Sequence, residues 1–467
     1  MKNLLFNQTP VFDKLEKHIL KKVDSLSDEY IQFLSKAKTE RTSIKVISEL
    51  LKKYGYKEIE LYQDSLKELP NKFFIIFQNK NLACVNLENA DINNGINFLI
   101  SHIDAPRIDL KQNPLIEMSN LLMFKTHYYG GIKKYQWLNI PLALYGIIMT
   151  KEGKKIEVSI GDNANDPIFV IPDLAIHLSS KMIEKKMNEA ITGEMLNAVA
   201  GSIYSQHEKK ENQKIKLYAL NILNKKYGIK ETDFLTAELQ FVPAISPRYA
   251  GFDLSLIAGY GHDDRSCAFA SLKALLDYIP QKTNKAAVSI FYDKEEIGSD
   301  GSTGAKSRFI EDVIYQILEH KIRNFKSYYI RKILLKSNVI SADVNTAINP
   351  NFPEVFENQN CSKLGYGVVI TKFTGSRGKS GASEANTEYL NKLTAQFAKD
   401  KVKWQIGEIG KVDEGGGGTI AKFIAKYGCN VVDCGLPVMS MHSPFELISK
   451  FDLYSAHTAY KSFLKLK

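Results

Sequence analysis

The chain has 467 residues, 44% hydrophobic and 24% charged, the balance of an ordinary soluble globular protein with length for more than one domain. Its formal charge of +10, from 62 basic and 52 acidic side chains, is spread over short lysine groups such as Lys154-Lys155, Lys209-Lys210 and Lys225-Lys226, which argues against a dedicated nucleic-acid surface. Five cysteines without a Cys-x-x-Cys pair argue against a thiolate metal site or a disulfide framework. With no signal-like apolar segment in residues 1–10 and no run long enough to span a bilayer, the expectation is a reduced, cytoplasmic protein without membrane contact.

The first 57 residues carry helical periodicity, with Leu26, Tyr30, Phe33 and Leu34 and then Ile44, Ile47, Leu50 and Leu51 at three- and four-residue spacing. Strand-like runs follow at 74–77 and 97–101, the second leading straight into His102-Ile103-Asp104-Ala105-Pro106-Arg107. From 108 to 248 the character changes. Turn signals at Gly130-Gly131 and Asp162-Asn163 separate runs at 140–150 and 155–160, which predicts a β-rich module. An apolar helical pattern near 174–187 and an exposed lysine-rich loop at 208–216 complete it. After Asp253, strand, glycine-bearing loop and helix alternate again. Helices are predicted over 267–278, 309–322 and 387–399, strands over 288–292, 339–342, 368–373 and 430–434, and a last helix over about 446–465. The pattern predicts an α/β fold with a mixed sheet between helices, built from 1–107 and 249–467 and interrupted by the insert 108–248.

The stretch Asp293-Lys294-Glu295-Glu296-Ile297-Gly298-Ser299 follows the apolar strand run 286–291. A Glu-Glu pair usually decorates a solvated turn; this one is set apart by its company. His102, the glutamate pair and Asp343 each come just after a predicted strand, and His442 lies in the loop after another, where open α/β sheets bind ligands. Asp263-Asp264 open a helix. Two imidazoles with several carboxylates are the donor set of zinc or a similar divalent ion. Their number suits two ions about 3.5–4 Å apart, which together polarise a carbonyl and generate hydroxide. His102, Asp343, His442 and one glutamate then complete the pair, one aspartate bridges, and the other glutamate is left as base for the water. Neighbouring side chains on extended backbone diverge, so the two glutamates are expected to face different partners. Asp104 is spaced to orient the His102 ring. His127, His177, His262 and His457 read as structural. The glycine run 415–418 is no phosphate loop, since no Gly-Lys-Ser/Thr follows it; it reads as backbone that approaches a substrate closely.

Together, His102-x-Asp104-x-Pro106-Arg107, Asp263-Asp264, Asp293-x-Glu295-Glu296-Ile297-Gly298-Ser299, Ser341-Ala342-Asp343 and Met441-His442-Ser443-Pro444 occur in the order of the aspartyl-aminopeptidase-type family of metallo-aminopeptidases. Pro172-Asp173-Leu174-Ala175-Ile176-His177-Leu178 and Gly416-Gly417-Gly418-Thr419-Ile420 match as well, and the chain resembles the bacterial branch over nearly its whole length. The resemblance implies a catalytic domain of the zinc-exopeptidase type. It implies two divalent ions, Zn2+ foremost with Co2+ or Mn2+ as substitutes, on His102, Asp263, Glu296, Asp343 and His442, with Asp263 the bridge. Glu295 is then the general base and Asp104 the orienting residue. The implied reaction is hydrolysis of the N-terminal residue from peptides, and the insert is a dimerisation domain whose dimers assemble into a dodecamer. Lys372, Gly417 and Gly418 correspond to substrate positions. Eukaryotic-type members place histidines where this chain has Asn345, Thr346 and Asn349, and another in the insert at Tyr135, which leaves preference for an acidic N-terminal residue open. Two other readings compete: a two-metal amidohydrolase of small acylated amino acids, separable by the need for a free amine, and a catalytically silent assembly protein, against which the intact Glu295 and ligand set stand.

Overall fold

Runs such as Ile96–His102 and Ala286–Tyr292, apolar with hardly a break, are what a strand covered on both faces requires, and both are buried along their whole length. The computed structural model describes residues 4, 8–63, 68–207, 209–281 and 285–467; Glu208, which begins the predicted lysine-rich loop, and most of the first seven residues lie outside them. The chain divides into one unit of Met1–Asp104, Pro247–Met441 and Glu446–Lys467, and a second of Ala105–Ser246 with His442–Phe445.

The first unit is a mixed α/β fold on a nine-stranded sheet: β1 (Lys57–Glu58), β2 (Lys72–Phe77), β3 (Asn81–Asn86), β4 (Ile96–His102), β5 (Ala286–Tyr292), β6 (Asn338–Ser341), β7 (Val368–Thr371), β8 (Trp404–Ile406) and β9 (Asn430–Gly435). Their order is β1-β2-β3-β5-β4-β6-β9-β7-β8. The centre, β5-β4-β6-β9, is parallel, while β3 and β7 run antiparallel on either side of it. Tyr292 lies opposite His102 and Ser341 opposite Ile100, so the carboxyl ends of the three middle strands are nearly level.

Helices α1 (Lys17–Lys36), α2 (Glu40–Lys53), α3 (His262–Leu276), α4 (Phe309–Lys321), α5 (Tyr328–Leu335), α6 (Thr387–Lys399) and α7 (Lys450–Phe463) cover the sheet. Residues of α1, α2, α3, α6 and α7, among them Tyr30, Phe269, Leu393 and Tyr460, share one core. Those of α4 and α5, with Phe98, Ile290 and Ile314, form the other. Thr39 starts α2 through a reciprocal pair of hydrogen bonds with Thr42, which satisfies backbone donors that the first turn leaves open. Among the described residues no helix is long and apolar enough to cross a membrane.

Two expectations in this unit need correction. The helix predicted over 446–465 begins only at Lys450, because Glu446–Ser449 pairs antiparallel with Leu256–Gly259 and Ser449 then caps the helix through Phe451 N–H. The helix predicted from 267 starts earlier, at His262, with Asp263 and Asp264 out of helical conformation and joined by a cis peptide. Helix α5 was not anticipated.

The second unit is a six-stranded antiparallel sheet in the order Lys155–Ile160, Leu142–Met149, Glu238–Pro243, Arg107–Met118, Leu121–Tyr129, Ala198–Gly201. The helix expected near 174–187 is replaced by the short turns Ile176–Leu178, Ser180–Ile183 and Met187–Ala190, none with a buried side chain. The lysine-rich loop gives way at Lys214 to a helix, Lys214–Tyr227, which Gly228 ends in the left-handed conformation that glycine adopts without strain.

Candidate metal centre

Separate segments deliver donors to the carboxyl ends of the central strands. β4 ends on His102, whose N–H donates to Asp264 Oδ2 at 3.2 Å. β5 continues into the turn Glu295–Ile297, entered through Lys294 at φ 68° and left through Gly298 at φ 90°. A left-handed lysine costs about 1 kcal/mol. The Ser299 N–H, donating to Lys294 O at 2.7 Å, helps hold it there. β6 leads to Asp343, and the opening of α3 presents Asp263 and Asp264.

Asp104 ties two of these segments together. Its Oδ1 lies 3.2 Å from His102 Nδ1 and accepts the Glu295 N–H at 3.1 Å, while Oδ2 accepts the Glu296 N–H at 3.2 Å. A carboxylate on Nδ1 holds the ring proton there and leaves Nε2 with its lone pair free for a metal. Nε2 faces Asp263 Oδ1 at 3.2 Å and Asp343 Oδ1 at 3.9 Å. Among the described residues, His102, Asp264 and Asp343 bring ligand atoms within 4.8 Å of one another, and so do His102, Asp263 and Glu296.

The electrostatics call for a cation. Burial raises the pKa of Asp264 well above the carboxylate range and Asp263 adds to it, against the pull of His102. Burial does the same to Asp343, with Asp264 reinforcing it. For His102 burial acts downward, but hydrogen bonding to Asp104 and Asp263 carries the net shift well upward. Asp264 Oδ1 is buried with no hydrogen-bond partner among the described residues. Carboxylates that resist ionising together, around an imidazole aimed at them, fit a divalent ion bound through nitrogen and oxygen.

The structure gathers His102, Asp263, Glu296 and Asp343 from the expected ligand set. His442 lies with the second unit at φ 66°, its Nδ1 2.9 Å from Gly131 O. Asp264, which the sequence offers together with Asp263 as one candidate pair but which the expected ligand set leaves out, also brings a ligand atom to His102 and Asp343. His262 is fully buried and neutral, its pKa lowered by burial to about 3, with the Tyr30 hydroxyl 2.6 Å from Nδ1. His457 pairs through Nε2 with Asp277 at 3.0 Å. Lys372 and Tyr135 are exposed, and Thr346 and Asn349 are half-buried.

The glycine run answers first to the chain's own packing. A Cβ at Gly415 meets Ile409 O at 1.9 Å, and one at Gly416, at φ 134°, meets Gly375 O at 2.5 Å. Gly417 and Gly418 meet no backbone that closely. The substrate-approach reading therefore does not explain the first two positions. A cavity of about 590 Å³ within the insert is lined by residues such as Leu115, Phe124, Leu144 and Phe169, and among the described residues no such cluster of ligating groups lies in it.

A mixed α/β sheet whose parallel strands end in an imidazole, several carboxylates and an adjacent glutamate defines a metal-dependent hydrolase. The family described as aminopeptidase I zinc metalloprotease (M18) matches residues 33–464. A probable M18 family aminopeptidase 1 of Clostridium acetobutylicum is 43% identical over 465 residues, 99% of this chain and 99% of that one. The crystal structure of an M18 aminopeptidase from Thermotoga maritima shares the fold at a TM-score of 0.94 and 42% identity, covering 99% of this chain and 100% of the other. The S. cerevisiae mApe1 dodecamer, 23% identical, has the same fold at a TM-score of 0.77 over 95% of this chain and 97% of its own. The chain belongs to the M18 family of zinc metallopeptidases. It is a metal-dependent aminopeptidase, a hydrolase of peptide bonds, and neither competing reading is favoured.

Proposed function

We propose that this aminopeptidase works with two divalent ions, zinc foremost, on His102, Asp263, Glu296, Asp343 and His442, with Asp263 bridging and Glu295 as general base. The observation that carries this reading is the double grip of Asp104. One carboxylate orients the ring of one ligand and, through adjacent N–H groups, the turn that bears another ligand and the base. His442 joins on chemistry: with Nδ1–H donating to Gly131 O, its Nε2 keeps a lone pair for a metal. When bound, the ions polarise the scissile carbonyl and acidify a water. Glu295 takes that water's proton and passes it to the leaving amine. Cobalt or manganese also suits these donors.

The test is Glu295→Gln, with metal content and kcat measured on the same preparation. The expected outcome is a fall in kcat of about 10²- to 10⁴-fold with bound metal unchanged. Wild-type turnover in the variant removes Glu295 from the role, and metal-replete wild-type protein that cleaves no aminoacyl substrate removes the reading. Lys372, Gly417 and Gly418 are the substrate positions within it, and a panel of N-terminal residues decides whether Tyr135, Thr346 and Asn349 have shifted preference away from acidic ones.

The same reading makes the insert a dimerisation domain and the assembly a dodecamer like that of the yeast relative. Leu174, Ile176, Leu178, Ile183 and Met187 leave apolar side chains exposed along one short stretch, which supports burial between copies. All five cysteines are buried and unbridged, which suits a cytoplasmic setting.

A further inference from the structure

Arg265, next in sequence to Asp264, is 1% exposed. A guanidinium is seldom buried whole without a carboxylate to match it. This one donates from Nε to Ile103 O at 3.2 Å, lies 5.3 Å from the Tyr260 ring centroid, and leaves Nη1 buried without a hydrogen-bond partner among the described residues. The oxygen it takes matters. Ile103 stands between His102 and Asp104, and its N–H donates to Tyr292 O at 2.9 Å. Its backbone is thus tied on one side to β5 and on the other to α3. In the opposite sense, His102 N–H donates to Asp264 Oδ2 at 3.2 Å. Two crossed bonds therefore hold the end of β4 against the opening of α3.

We infer that Arg265 is a positioning residue for the metal site. Its guanidinium fixes the turn at Ile103, and so the directions in which the His102 ring and the Asp104 carboxylate leave the strand, before any ion enters. A buried cation here opposes an incoming ion, so attraction does not explain its placement; geometry does. Arginine suits the task because its Nε–H lies in a rigid plane, which a lysine ammonium lacks.

The inference rests on the ligand set proposed above, and the experiment separates the two. Wild type and Arg265→Lys are stripped of metal and titrated with zinc against a competing chelator, and their metal-free Tm values are compared. The lysine keeps the charge, so the electrostatic contribution is held while the planar donor is lost. Expected is a zinc Kd raised about 10- to 100-fold, the range seen when outer partners of metal ligands are removed. An unchanged Kd with a lowered Tm makes Arg265 a packing residue only and overturns the inference. Wild type that binds no zinc overturns the ligand assignment instead. If Arg265→Lys folds only with metal present, its zinc release rate into a colorimetric chelator decides: about tenfold faster release supports positioning, and a wild-type rate overturns it.

Discussion

The two units use apolar residues differently at their sheet edges and centres. β4 and β5 are buried at every position, and the helices of two separate cores lie against their sheet. In the insert, the edge strand Lys155–Ile160 alternates exposed with buried or half-buried positions, as a strand with one covered face does, while Glu238–Pro243, further into the sheet, is buried at all but its first residue. Buried carboxylates divide the same way. Among the described residues, Glu40, Asp104, Asp263, Asp264, Asp293, Asp433, Glu446 and Asp452 are buried in the first unit, and Asp233 in the insert. A doubly covered sheet creates the low-dielectric ends where a carboxylate's protonation and orientation are set by specific partners. An edge strand with one exposed face does not.

The strongest way to break this contrast is to open the covered sheet. Phe98, fully buried in β4, is expected to cost about 3–5 kcal/mol on substitution by alanine, read as a lower urea midpoint at unchanged m. A loss below about 1 kcal/mol, the scale of an ordinary point change, shows that one face of β4 is not close-packed.

A smaller effect tests the low-dielectric ends. Burial raises the pKa of Asp433, in β9, to about 6, although the Thr419 hydroxyl donates to it at 2.8 Å. Unfolded, the group titrates near 3.9. The folded state therefore binds its proton more tightly, so this group's contribution to stability is greatest below pH 4, falls as pH rises through 4 to 6, and is level above. Asp433→Asn removes that fall. Relative to wild type, the variant is expected to gain roughly 2 kcal/mol between pH 4 and pH 7, measured by urea unfolding at both. A difference that does not change with pH shows that Asp433 is ionised in the fold without penalty.

What the sequence made legible follows the same divide. The apolar runs of β4, β5 and β6 end on His102, the Glu295-Glu296 pair and Asp343, so strand, strand end and donor were read in one step. Helices α4 and α6 were legible because their apolar stripes meet a core. The opening of α3 was not, since backbone that leaves the helix at Asp263 and Asp264 has no signature beyond two adjacent acids. Glu446–Ser449 was mistaken for helix because its continuation into α7 keeps helical spacing, while its pairing with Leu256–Gly259 is distant in sequence. Arg265 gave no signal at all: a buried and an exposed arginine are the same letter.

The 174–187 stretch failed for the reverse reason, and it yields the prediction with the smallest effect on the chain's own stability. Its apolar residues have helical spacing, but Ile176, Leu178, Ile183 and Met187 are all exposed. Without a core to bury them, propensity alone does not hold a helix of that length, and short turns result. Such side chains contribute little to the isolated unit and much to any surface that covers them. Leu178→Asp is therefore expected to change unfolding free energy by no more than about 0.5 kcal/mol under conditions where the protein is monomeric. In sedimentation velocity at working concentration it should shift the protein toward smaller species. Unchanged assembly would place the interface elsewhere on the insert. A large loss of monomer stability would show that Leu178 is packed after all.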